Sequence, residues 1–545
     1  MATIQHPRLG KVFGVVKDSV TSFRGIKYAS LKNRLAEPDL LGEYAGQINA
    51  TKCGPLVISP KDGCDREFGL IQHSLPKPEF TFSDVDGLNL NISTPDDWQK
   101  LLGEGNGLPV FVFIHGGGFA IGSNAWPQYD TNRFVKLSVD SGRPVIAVSI
   151  NYRLGVPGFL TSQELRDAGY KANNGLRDQQ TALKWIKKNI APFGGDPENI
   201  TVAGESAGSA SIWFHLHSKE PLFKRAIMMS GSGLFPKPLP PPVTEFAYST
   251  VIKALGLDGL SAEERINAMV AIPADELMAR VPRVPLMAAV DGDIIPSEPT
   301  FAKISKLSSA ADELPGTKWC EDLAIGACQF DGSIMSIFMP GPKETLNSRF
   351  ANAVLTTLTG DNEATAKSLL QDYAIPTASK KHSTLTDDCL YPILKFCTDL
   401  LFLAPLDAIA ANWPGRSSVY LFNQPNPWVG PNKGKPSHVL DIAFLFQNYT
   451  EHMTVQQREV GVAFAKDLIG FCHGNGLGNV TGLYRSGNET KKVRVYGDSS
   501  KGITVNDGID MFSEESGVKD TIVKYESAVG LDKIMQAWGK FLSGK

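Results

Sequence analysis

Short apolar runs, separated by polar stretches rich in glycine and proline, set the rhythm of the chain. Pro109–Ile114 (PVFVFI), Pro144–Ile150 (PVIAVSI), Ile200–Ala203 (ITVA), Arg225–Met229 (RAIMM), Leu323–Cys328 (LAIGAC) and Ser418–Phe422 (SVYLF) all lack strict polar alternation. Continuous apolar runs of this length are what strands buried on both faces require. Between them the period lengthens. Gly175–Asn189 places Leu176, Ala182, Leu183 and Ile186 on roughly one face of a helix. Strands alternating with helices predict an α/β fold, a large and mostly parallel sheet covered by helices on both faces. Chemistry in such a sheet collects at the carboxyl ends of the strands.

Two regions break this pattern. Residues 234–290 carry the run PKPLPPP and then helical stretches, and residues 333–410 read as mainly helical. They are expected to be insertions on the sheet, either shaping a substrate pocket or serving as plain helical cover. A length of 545 residues alone would suggest several domains. No repeat, charge block or low-complexity segment divides the chain, so a single domain over 1–545 is expected.

Composition narrows the function. With 42% hydrophobic and 20% charged residues the chain reads as an ordinary soluble protein. A net charge of −3 offers no positive field to a phosphate backbone, so nucleic acid is not an expected partner. No run of 18 apolar residues suggests a membrane span. The opening MATIQHPRLGKVFG lacks the apolar core of a secretion signal, which points to a cytoplasmic protein. Accordingly, the Asn-x-Ser/Thr triplets at Asn49, Asn91, Asn199, Asn448, Asn479 and Asn488 carry little weight. Seven cysteines, without a CxxC pair or zinc spacing, predict free buried thiols and no metal. A small disulfide between Cys53 and Cys64 is the alternative.

The chemistry gathers around two glycine motifs. Gly204–Glu205–Ser206–Ala207–Gly208 fits G-x-S-x-G, with the strand ITVA before it and the helical stretch Ala207–His217 after it. A serine on so tight a strand-to-helix turn needs small neighbours, and its Oγ is then exposed at a helix N-terminus. His115–Gly116–Gly117–Gly118–Phe119 follows PVFVFI. Glycines there let backbone N–H groups reach a developing oxyanion, as HGGG loops do in lipases and esterases. No Lys–Ser/Thr follows, which argues against a phosphate loop.

These motifs, with FRGIKYA (Phe23–Ala29), LNLNIS (Leu88–Ser93), NYRLGVPGFL (Asn151–Leu160), NNGLRDQ (Asn173–Gln179) and FGGDPENITVAGESAGS (Phe193–Ser209), resemble the type-B carboxylesterases, the family that includes cholinesterases. The general pattern is most similar to fungal intracellular members. The resemblance implies an α/β-hydrolase fold with a gorge ending at Ser206. It implies His438, in SHVLDIAFLF, as the base, with Asp441 where an acidic residue is usual. The family's acid is a Glu before Gly–Ser; here Asp331 holds that place, and Asp291 and Asp293 are its rivals. Gly117, Gly118 and Ala207 would supply the oxyanion hole. Glu205 either tunes the site or is a structural hydrogen-bonded carboxylate. The expected reaction is hydrolysis of small to medium hydrophobic esters without a cofactor. Acyl transfer and lactone chemistry would use the same residues, and a non-catalytic binding protein is the remaining alternative.

Two departures bear on substrate. Gly87 stands where the family often has the second cysteine of an early disulfide. Between Cys64 and Gly87 lie Phe68, Phe80 and Phe82 but no Trp, which argues against choline esters.

Overall fold

The computed structural model describes all residues except 45, 103–106, 310–311, 377–389, 479–483, 485–490 and 545. Its main sheet is built from β1 (Ala2–His6), β2 (Gly10–Lys17), β3 (Val20–Lys27), β4 (Asn89–Pro95), β5 (Leu108–Ile114), β6 (Ile146–Ile150), β7 (Gly195–Glu205), β8 (Arg225–Met229), β9 (Asp322–Cys328), β10 (Arg416–Phe422), β11 (Lys492–Tyr496) and β12 (Val505–Asp510). Their spatial order is β1-β2-β3-β4-β6-β5-β7-β8-β9-β10-β11-β12, with the short strand Gln47–Asn49 beside β2. From β6 to β11 every neighbouring pair is parallel; the flanking pairs along this order are antiparallel, and Gln47–Asn49 runs parallel to β2.

All six apolar runs read from the sequence lie on these parallel strands. Every residue of β5, β6, β8 and β9 is buried. Each fully buried Val, Leu, Ile or Phe contributes about 1.5–3 kcal/mol, so burial on both faces is what holds the centre of the sheet together. The helix Asn174–Asn189 buries Leu176, Ala182, Leu183 and Ile186 and exposes Lys184, Lys187 and Lys188. Its Asp178 forms a buried pair with Arg153, at 2.7 Å. Two charges in the core persist only when paired and hydrogen-bonded, and Asp178 also accepts the backbone N–H of Arg153.

The region 234–290 holds the helices Pro241–Ala254, Ala262–Ala271 and Ala274–Arg280. Within 333–410 lie Leu346–Thr357, Glu363–Asp372, Tyr391–Cys397 and most of Ala404–Asn412. Cys53 and Cys64 are both free, so the disulfide alternative is not realised; Cys64 is buried with its Sγ 3.8 Å from Gln128 Oε1. Gly87 packs tightly, since a Cβ there would meet Val57 at 2.8 Å. The triplets at Asn479 and Asn488, together with Cys389, lie outside the described residues.

Candidate active site

Four parallel strands deliver the predicted residues from their carboxyl ends. Ser206 follows β7, the glycine loop follows β5, Asp331 follows β9, and His438 lies on the segment after β10. Ser206 has φ 55° and ψ −118°. Such a conformation costs a non-glycine residue about 1–3 kcal/mol and persists only where the surroundings over-determine it. Here Ser206 donates its N–H to the Met229 carbonyl at 2.9 Å and accepts the Ala210 N–H at 2.9 Å. The flanking glycines are sterically required. A Cβ on Gly204 would lie 2.5 Å from the Gly208 carbonyl oxygen, and one on Gly208 would lie 2.1 Å from that of Ile114.

His438 Nε2 lies 3.0 Å from Ser206 Oγ, and its Nδ1 lies 2.8 Å from Asp331 Oδ1. A carboxylate on Nδ1 keeps the proton there and leaves Nε2 to accept one. Asp331 Oδ2 accepts the Cys328 N–H at 2.8 Å. The His438 N–H donates to Ser333 Oγ at 3.1 Å, and the Phe330 N–H to the Pro436 carbonyl at 2.8 Å. These bonds stitch the acid segment to the histidine segment, so the shorter Asp still reaches the imidazole. Gly332 between them leaves no room for a side chain, because a Cβ would lie 1.9 Å from the Leu394 carbonyl oxygen. Asp291 and Asp293 are engaged elsewhere. Asp293 pairs with Arg177 at 2.6 Å, and Asp291 accepts from Asn173 and from the Ile295 N–H, each at 2.8 Å.

Gly117 and Gly118 have φ of 97° and 61°, and a Cβ on Gly117 would lie 2.2 Å from the Ile121 carbonyl oxygen. Among the described residues, the N–H groups of Gly117, Gly118 and Ala207 have no protein acceptor. Ser206, Gly117 and Gly118 keep partial exposure in otherwise buried surroundings.

Glu205 is fully buried, and its Oε1 lies 3.2 Å from His438 Nε2. Neither carboxyl oxygen has a hydrogen-bond partner among the described residues. Burial, then the nearby Asp441, Glu67 and Asp331, push its pKa well above the carboxylate range. Asp441 is pushed up to about 7 by burial and Asp331, although the Tyr420 hydroxyl donates to it at 3.0 Å. Burial also raises Glu67, which accepts from Gln128 at 2.9 Å. Of these carboxyls, Asp441 stands at a position the sequence marks, whereas nothing in the sequence singles out Glu67.

The region 333–410 places an aromatic ring beside the histidine, and one from 234–290 backs it. Phe402 lies 5.5 Å from the His438 ring, and Phe235 packs edge-on against Phe402 at 5.3 Å. His115, His215 and His217 have other partners: the Gly116 carbonyl, Gln179 and the Glu313 carbonyl.

The family model described as Carboxylesterase family matches residues 2–472. The chain belongs to the carboxylesterase family. It is 30% identical to the para-nitrobenzyl esterase of Bacillus subtilis (strain 168), over 81% of this chain and 82% of that one. It is also 30% identical to the bile salt-activated lipase of Homo sapiens, over 80% of this chain but only 57% of the lipase. A solved PNB esterase structure superposes with a TM-score of 0.68 at 26% identity, covering 94% of this chain and 98% of that one. Membership fixes the α/β-hydrolase fold and the reaction class: this carboxylesterase is a carboxylic ester hydrolase. Among the described residues no helix is long and apolar enough to cross a membrane.

Proposed function

We propose that Ser206, His438 and Asp331 carry out ester hydrolysis on small to medium hydrophobic substrates. The observation behind this reading is the continuous chain from Ser206 Oγ through His438 to Asp331, with links of 3.0 and 2.8 Å. His438 Nε2 takes the serine proton as Oγ bonds to the ester carbonyl carbon. The carbonyl oxygen becomes an oxyanion and sits against the N–H groups of Gly117, Gly118 and Ala207. Collapse breaks the bond to the alcohol oxygen, which leaves with the proton from His438, and an acyl-enzyme remains on Ser206. Water then attacks the acyl carbon, gives its proton to His438, and the carboxylic acid departs as Ser206 is restored.

Phe402, backed by Phe235, gives this site an apolar wall, which favours uncharged hydrophobic acyl or alcohol groups over charged ones. In this reading the regions 234–290 and 333–410 shape the pocket. Turnover of p-nitrophenyl esters across acyl lengths tests it. Wild type should favour short to medium acyl chains, and Phe402→Ala should shift the profile toward longer ones. A preference for charged acyl groups, or a profile indifferent to Phe402→Ala, would count against the pocket assignment.

A further inference from the structure

We infer that His73 and His452 form a two-histidine site for a divalent transition-metal ion such as Zn²⁺, apart from the Ser206–His438–Asp331 chain. The two rings lie 4.3 Å apart between centroids, tilted by 50°. They come from separate segments: His73 lies just beyond the helix Gly63–Ile71, and His452 ends the turn Thr450–His452. Neither ring has a hydrogen-bond partner among the described residues. The nitrogens of two bases cannot satisfy one another unless one donates, and no such bond joins them. Both rings are accessible, His73 half-buried and His452 exposed.

The surroundings hold this pair in place. His73 stacks on Trp428 at 5.4 Å and meets Tyr449 edge-on at 6.0 Å. Both partners are buried. Gln72, beside His73, donates to the Trp428 carbonyl at 3.3 Å and accepts the Asn432 N–H at 2.7 Å. The adjacent carboxylate, Glu451, is taken by Arg133 at 2.6 Å, so the pair offers two imidazoles and no anion.

Imidazole suits Zn²⁺, Ni²⁺ and Cu²⁺, and only its neutral form ligates. Among the described residues no group of three or more His, Cys, Asp or Glu could hold a metal, so water would complete the coordination sphere. An ion bound here would tie the end of the helix Gly63–Ile71 to the turn at His452, and it would stabilise the folded chain by mass action.

Calorimetric titration with ZnCl₂ tests this on wild type, His73→Gln and His452→Gln. Each variant should bind one ion fewer per chain than wild type, with ester turnover unchanged as a check on folding. In parallel, Zn²⁺ should raise the unfolding temperature of wild type, reversibly on chelation, more than that of His452→Gln, a change at an exposed position. Failure of wild type to bind Zn²⁺, or the same stoichiometry and affinity in either variant, would overturn the inference.

Discussion

At the scale of single residues the proposed site divides into groups placed to meet the reacting atoms and buried carboxyls around them. Asp331 is held through both oxygens, by His438 and by the Cys328 N–H. Asp331→Asn keeps the shape but presents an amide donor to Nδ1, which favours the wrong tautomer. Its kcat should fall by about 10³–10⁴-fold with KM little changed, measured on a p-nitrophenyl ester. Glu205 calls for the opposite expectation. Burial favours its protonated form, and Gln is close to an isostere of that form. Near neutral pH, Glu205→Gln should lose less than about tenfold in kcat/KM; a loss beyond about a hundredfold would mean that the ionised carboxylate is needed. Ser206, Asp331 and His438 were legible in the sequence because each sits in a short, specific run. Glu67 was not, because burial of a carboxyl is a property of packing rather than of neighbours in the chain. Phe235 and Phe402 were likewise invisible: a single aromatic in a helical region carries no sign of which way it faces.

At the scale of elements, the glycine loop after β5 is sterically determined at Gly117. Gly117 combines a left-handed φ with a carbonyl oxygen 2.2 Å from any Cβ, so Gly117→Ala must displace the loop. If its N–H holds the oxyanion, kcat should drop by about 10²–10³-fold while the unfolding temperature moves only slightly; an unaffected kcat would remove Gly117 from that role. The central strands were legible because parallel strands buried on both faces must be apolar throughout. The flanks were not. β2 has mixed burial, and β12 (VNDGID) has no fully buried residue. Strands with one wet face carry charges and glycine, and so read as loops. Helical patterns in 234–290 and 333–410 are legible, and helices form there; that Phe402 reaches His438 with Phe235 packed behind it depends on long-range packing that periodicity does not encode.

For the whole molecule, a serine hydrolase site has been built over a cluster of buried acids, which has a consequence for stability. Asp441, pushed up to about 7, binds a proton more tightly in the folded chain than in the unfolded one. The stabilisation is therefore complete below the unfolded carboxyl range and is lost as pH rises through about 7. Glu205 and Glu67, raised by the same burial, act in the same direction. Asp441→Asn should flatten the fall in unfolding temperature between about pH 4 and pH 7, since that proton no longer titrates. An unchanged slope would show that Asp441 is ionised throughout. Ser206 Oγ, 3.0 Å from His438 Nε2, is the proposed nucleophile. The most direct test is p-nitrophenyl ester turnover by Ser206→Ala beside wild type, with folding checked by thermal unfolding. The account predicts a loss on the order of 10⁶-fold, as removal of a serine nucleophile causes in other hydrolases. A folded Ser206→Ala that keeps turnover within tenfold of wild type would contradict it.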